Sequence, residues 1–181
     1  MQLEFVARDL RRIDELSAEL IACCVWQDER PFRGLAGLLD WRLGGKLSIL
    51  ARSGFISGRA DEVLLVPGRP RVRFEKVLIM GLGARAEFGE GSFALAVDRL
   101  LRALAGLNVR RAVVELPGRG HDAIDPARAT ELLFEQAKPE EHFDAWWLVE
   151  SPEAEKVMRA RSRDELQRAR RAAMQREETG L

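Results

Sequence analysis

Apolar positions in this chain fall into two kinds of segment: short unbroken runs and longer striped stretches. The unbroken runs are Leu20–Trp26, Val63–Val66, Val77–Met80 and Ala145–Val149, and Ala112-Val113-Val114-Glu115-Leu116 adds a further strand-length segment. Each has the length of a strand, and the continuous run Leu20–Trp26 predicts a strand covered on both faces. Leu3 to Ala7 alternates enough to predict a short first strand.

The striped segments predict helices. Ile13 and Leu16 face inward from a turn or two over Asp9–Ser17, and Pro31 stands where a helix starts, followed by Phe32, Leu35, Leu38, Leu39 and Leu43 at helical spacing. After Gly44-Gly45, a further short helix over Lys46–Arg52 carries Leu47 and Leu50. The longest clear stripe runs from about Gly91 to Gly106, with Phe93, Val97, Leu100, Leu104 and Leu107 on one side. Ser92 is its expected cap and Gly106-Leu107-Asn108 its expected stop. Asp125-Pro126 reads as a cap followed by a first-turn proline, opening a helix to about Lys138. Ser151-Pro152 opens a long charged helix to about Glu178.

Strands alternating with helices in this order predict an α/β fold: a mixed, mostly parallel sheet sandwiched by helices, with a long carboxy-terminal helix. No helix separates the strands at 63–66 and 77–80, so that pair should be a hairpin. The expected division is an α/β domain over 1–150 and a charged helix over 151–181, docked or projecting.

Composition narrows the function classes. With 46% apolar and 32% charged residues the chain is balanced like a folded soluble domain, and its formal net charge is +0. Nothing global draws it to nucleic acid or to an anionic membrane. No apolar run approaches the roughly 20 residues of a membrane span. The amino terminus has no basic patch ahead of an apolar core, so a cytoplasmic location is expected. Cys23 and Cys24 are adjacent in a strand run and should point to opposite faces as buried thiols rather than bridge.

The segment with the most candidate chemistry is Val77-Leu78-Ile79-Met80-Gly81-Leu82-Gly83, followed by Phe88-Gly89-Glu90-Gly91-Ser92-Phe93. Gly81-Leu82-Gly83-Ala84-Arg85-Ala86 matches the form of a dinucleotide-binding turn, where glycines let a pyrophosphate approach. Against that reading, Phe88-Gly89-Glu90-Gly91 separates the turn from its helix, and Glu87 and Glu90 repel phosphate. A structural turn and a small-ligand pocket both stay open. Gly81, Leu82, Gly83, Gly89, Gly91 and Ser92 are the candidate ligand-binding residues. His121-Asp122 lacks a Ser or Cys nucleophile motif and reads as a solvated loop, and Trp146-Trp147 should place one ring on each side of the sheet.

An ordered set of words resembles the amino-terminal domain of the leucyl aminopeptidase family, the M17 metallopeptidases. These are Gly44-Gly45-Lys46-Leu47, Phe55-Ile56-Ser57-Gly58-Arg59-Ala60, the strands Glu62–Val66 and Val77–Gly83, Leu132-Leu133-Phe134-Glu135, and His142-Phe143-Asp144. The resemblance covers roughly 1–150 and implies a fold similar to macro domains. It also implies that the family's chemistry lies elsewhere. The two-metal site belongs to that family's other domain, whose Asn-Thr-Asp-Ala-Glu-Gly-Arg segment does not occur here. No catalytic residue, metal ligand or cofactor is therefore carried over. The carboxylates of this chain are expected on helix surfaces at charge-pair spacing. The functional expectation is a non-catalytic interaction, assembly or regulatory protein, self-associating or bound to another protein such as a full-length aminopeptidase. The alternative is a macro-like module for a nucleotide or ADP-ribose type of ligand at the Gly81–Gly91 loop.

Overall fold

In the computed structural model, residues 2–137 and 144–179 are described. The expected His142-Phe143 word lies outside them. Six strands form one sheet: β1 (Gln2–Val6), β2 (Leu20–Val25), β3 (Val63–Pro67), β4 (Lys76–Gly81), β5 (Arg111–Val114) and β6 (Ala145–Val149), in the spatial order β1-β6-β5-β2-β4-β3. Five strands are parallel, and β3 runs antiparallel to β4 with Leu65 opposite Leu78. The mixed, mostly parallel sheet and the 63–66/77–80 hairpin thus form as the apolar runs predict.

Helices cover both faces. On one side lie α1 (Leu10–Asp14), α2 (Gly34–Arg42) and α3 (Lys46–Arg52), whose Ile13, Leu35, Leu39 and Leu47 pack on Ile21, Cys23, Ile79 and Val113. On the other lie α4 (Glu90–Gly106), α5 (Pro126–Gln136) and α6 (Pro152–Thr179). Their Phe93, Val97, Leu100, Leu133 and Met158 pack on Leu20, Leu78, Val114 and Trp146. The period-two alternation of β2 explains how one run feeds both cores: Leu20 and Ala22 enter one, Ile21 and Cys23 the other. Trp146 and Trp147 divide in the same way, Trp146 fully buried and Trp147 packed against the opposite core.

Local signals were met to different degrees. Asp125 caps α5 as its sequence predicts, its Oδ1 accepting from the amides of Ala127 and Arg128, with Pro126 in the first turn. Pro31 does not open a helix: α2 begins at Gly34, three residues later. Gly89, not Ser92, is the cap residue of α4, and Ser92 Oγ instead donates to the Glu87 carbonyl at 3.4 Å. The left-handed residue after α4 is Asn108, φ 56°, rather than Gly106, which stays helical. In α6, Ala154, Met158 and Ser162 are buried and α5 lies alongside.

Candidate functional site at the carboxyl ends of the strands

In open α/β sheets, ligands bind in the crevice beyond the carboxyl ends of the strands where the chain leaves toward opposite faces. Here that point lies between β2 and β5. The chain after β2 goes to α2 on one face; the chain after β5 goes to α5 on the other. Residues 26–34 and 115–122 therefore border the crevice.

Glu115 follows the last residue of β5 and is almost wholly buried. Its backbone holds it in register, because its amide donates to the Ala22 carbonyl at 3.0 Å. Its carboxylate reaches the start of α2, where Oε1 accepts from the Leu35 amide at 3.2 Å. The α2 cap residue, Arg33, makes no side-chain cap. Glu115 thus supplies from another element the acceptor that a helix start needs. Arg8, just beyond β1, sets its Nε 3.5 Å from the same Oε1. Gly34 and Gly120 make room for the carboxylate: a Cβ on Gly120 would sit 2.8 Å from Oε1 and one on Gly34 3.3 Å, where φ is also +59°. Burial pushes the Glu115 pKa up to about 7; Arg8 and the Leu35 amide oppose this, and the nearby Glu150 adds to it. The same burial, with the Glu115 charge, raises the thiols of Cys23 and Cys24 far above their ordinary range. Both are free thiols, Cys23 buried as expected and Cys24 only partly buried.

Beside Glu115 lies a second buried carboxylate. Glu150, directly after β6, takes both Nε and a terminal nitrogen of Arg119 at 2.9 Å each, a two-pronged pair sealed from solvent. Arg119 also donates to the Ile124 carbonyl at 2.7 Å, tying the 118–124 loop to the strand ends. Outside the pair a cleft of about 290 Å³ opens, lined by Arg8, Arg119, Asp122, Glu150 and Ser151.

The other half of the crevice is closed by His121. Its Nδ1 accepts from Trp26 Nε1 at 3.2 Å, and its Nε2 lies 2.8 Å from Glu29 Oε1. The Trp26 bond fixes the imidazole proton on Nε2 in the neutral ring, so Nε2 donates to Glu29. Arg85 approaches Glu29 at 3.6 Å, and Phe88 packs edge-on against Trp26 with centroids 5.0 Å apart. His121 is therefore not in a solvated loop, and Asp122 beside it faces water.

The candidate ligand residues fall in two places. Gly81, Leu82 and Gly83 turn tightly at the end of β4, and each amide is bonded within the protein, to the carbonyls of Glu62, Val25 and Gly58. A Cβ on Gly81 would lie 1.9 Å from the Arg59 carbonyl oxygen, and Gly83 has φ +79°. Gly89, Gly91 and Ser92 sit instead at the start of α4, where Gly89 and Gly91 border open space. The structure does not bring these two groups together with the buried charges.

Glu115, Glu150, Arg119 and Arg8 were missed by sequence reasoning, and the expectation that carboxylates lie on helix surfaces fails for the two glutamates. A signal was present: Val113-Val114-Glu115 and Leu148-Val149-Glu150 each end an apolar strand run in a carboxylate. Among the described residues no group of three or more His, Cys, Asp or Glu is placed to hold a metal ion. Each buried carboxylate has an arginine partner, so the arrangement locks together the ends of β1, β5 and β6 and the start of α2.

Comparison with known proteins matches this architecture. The signature of the "Cytosol aminopeptidase family, N-terminal domain" covers residues 24–141. The "Probable cytosol aminopeptidase" of Halorhodospira halophila is 34% identical over 111 residues, which is 60% of this chain and 22% of that protein. This chain thus spans about a fifth of that relative's length. Among solved structures, a mutant of tomato leucine aminopeptidase superposes with a TM-score of 0.62 at 13% identity, over 89% of this chain and 35% of that one. The macrodomain of Mycobacterium tuberculosis DarG superposes with a TM-score of 0.62 at 16% identity, over 83% of this chain and 99% of that one. Those two likenesses concern the fold. With more than half of its residues inside the signature, the chain belongs to the cytosol aminopeptidase family through that family's N-terminal domain.

Proposed function

We propose that this chain is a non-catalytic interaction, assembly or regulatory module that works in the cytoplasm. The observation that carries this reading is the state of the strand-end crevice. The groups where this sheet class places ligands or chemistry pair with one another: Glu115 with Arg8 and the Leu35 amide, Glu150 with Arg119, His121 with Trp26 and Glu29. Two further facts support it. The family match falls on the N-terminal domain, and no three metal-ligating side chains converge among the described residues, whereas two-metal hydrolysis needs convergent ligands. The partner is a second copy of this chain or another protein such as a full-length aminopeptidase. Nucleic acid and membrane are not among the expected partners, given the net charge of +0. Light scattering coupled to size exclusion on the full chain, alone and mixed with a full-length aminopeptidase, should show a defined assembly. Cleavage of an aminoacyl substrate by the pure chain with divalent metal would overturn the reading.

A second reading is a small-ligand module of nucleotide or ADP-ribose type. The fold likeness to macrodomains favours it, with the open start of α4 at Gly89 and Gly91. Calorimetry with ADP-ribose tests it: saturable binding lost on Gly89→Val, where the backbone is extended and an added side chain meets nothing, supports it, and no heat of binding removes it.

A further inference from the structure

The two edges of the sheet are treated differently. At β1 the long helix α6 lies alongside: the Arg159 guanidinium stacks 4.8 Å over the Phe5 ring, and Leu3 and Phe5 share a groove with Ser162 and Leu166. At the opposite edge β3 pairs only with β4, and Val63 and Leu65 remain 39% and 41% exposed.

The hydrogen bonds show which way β3 points. The Glu62 carbonyl accepts from the Gly81 amide at 2.9 Å, and the Gly68 amide donates to the Glu75 carbonyl at 3.0 Å. Even-numbered positions therefore face β4. By the alternation of an antiparallel ladder, Val63 and Leu65 direct amide and carbonyl outward, and Pro67 its carbonyl. An apolar edge of this kind is a template for another strand.

The charges around β3 select the occupant. The segment Asp61-Glu62-Val63-Leu64-Leu65-Val66-Pro67-Gly68-Arg69 is acidic before the strand and basic after it, and both Asp61 and Arg69 are exposed. We propose that β3 is the docking edge for a second copy of this chain, paired antiparallel about a two-fold axis through Leu65. In that register Leu65 meets Leu65 of the second copy, Val63 meets Pro67, and Asp61 meets Arg69, with each contact occurring twice. Leu65 exchanges amide and carbonyl with its counterpart, and the Val63 amide reaches the Pro67 carbonyl. Moving the register by one ladder step puts Arg59 against Arg69 in one direction; in the other it sets Leu65 against Pro67, which has no amide, and Val63 against Arg69. Only the centred register pairs Leu65 with itself and keeps like charges apart. Pro67 has no amide to donate, so the ladder ends there, and the pair consumes the exposed edge of both copies, closing the assembly at two.

This inference rests on the assembly reading above. The test is light scattering coupled to size exclusion on the full chain across a dilution series, with circular dichroism on each variant. The wild type should be a dimer. Asp61→Arg places like charges opposite each other twice and should raise the dimer dissociation constant about tenfold. The combination Asp61→Arg with Arg69→Asp should restore it, and Leu65→Lys should give a folded monomer. A dimer indifferent to all three overturns β3 pairing and leaves the assembly reading standing. A wild-type monomer that binds a full-length aminopeptidase also overturns the pairing alone. A monomer that cleaves an aminoacyl substrate overturns both.

Discussion

The Glu115 carboxylate accepts the amide hydrogen of Leu35 at 3.2 Å across a sequence separation of 80 residues. One side chain at the end of a central strand thereby becomes the hydrogen-bond acceptor for the start of a helix on the sheet's face. Its burial carries a titration consequence. The folded pKa, about 7, stands above the ordinary value of 4.5. A raised carboxylate pKa means the fold prefers the protonated form. Its contribution is fully present below the ordinary value and is lost as pH rises through the folded one. Stability should therefore fall between about pH 4.5 and 7 by roughly 3 kcal/mol from this group. Urea unfolding at stepped pH should show the decline, and Glu115→Gln should flatten it.

The Arg119–Glu150 pair is sealed, with both side chains 2% exposed. Removing one member strands the other charge. Arg119→Met should cost about 3–5 kcal/mol in chemical denaturation, and a double variant with Glu150→Leu should recover part of that loss.

His121 holds Trp26 by the indole nitrogen. His121→Ala leaves that buried donor unpaired and frees Glu29, at a cost of about 1–3 kcal/mol. Quenching of tryptophan emission by iodide should rise, because Trp26 is 2% exposed in the wild type.

Two glycines that look alike in sequence should respond in opposite ways. Gly81→Ala drives a methyl into the Arg59 carbonyl and should cost roughly 3 kcal/mol or more. Gly91 lies in the first turn of α4 with nothing within 4 Å of an added Cβ. Gly91→Ala should raise stability by about 0.5–1 kcal/mol. Thermal unfolding of both variants gives the comparison.

Helix α6 packs on the sheet through its first turns. Met158 is fully buried against the same core as Trp146 and Leu133. Met158→Ala should cost about 2–5 kcal/mol in urea unfolding.

The sequence by itself determined the element order, the hairpin and the two-faced burial of the sheet. The apolar runs at 20–26, 77–80, 112–114 and 145–149 each exceed what one covered face needs, and the stripes at 93–104 and 32–43 supply the helices to cover both. The α5 start was readable because a cap and a first-turn proline act within four residues. The start of α2 was not. Its capping acceptor comes from Glu115, and a local rule cannot see a partner 80 residues away. The setting of the candidate turn was not legible either. Gly81-Leu82-Gly83 has the spacing of a ligand turn, and its amides are bonded to the carbonyls of Glu62, Val25 and Gly58, partners that no local pattern announces. Only the tertiary structure decided which charges became core. Strand register placed Glu115 and Glu150 next to one another, and burying two carboxylates required Arg8 and Arg119 to arrive with them, since an unpaired charge in that interior could not persist.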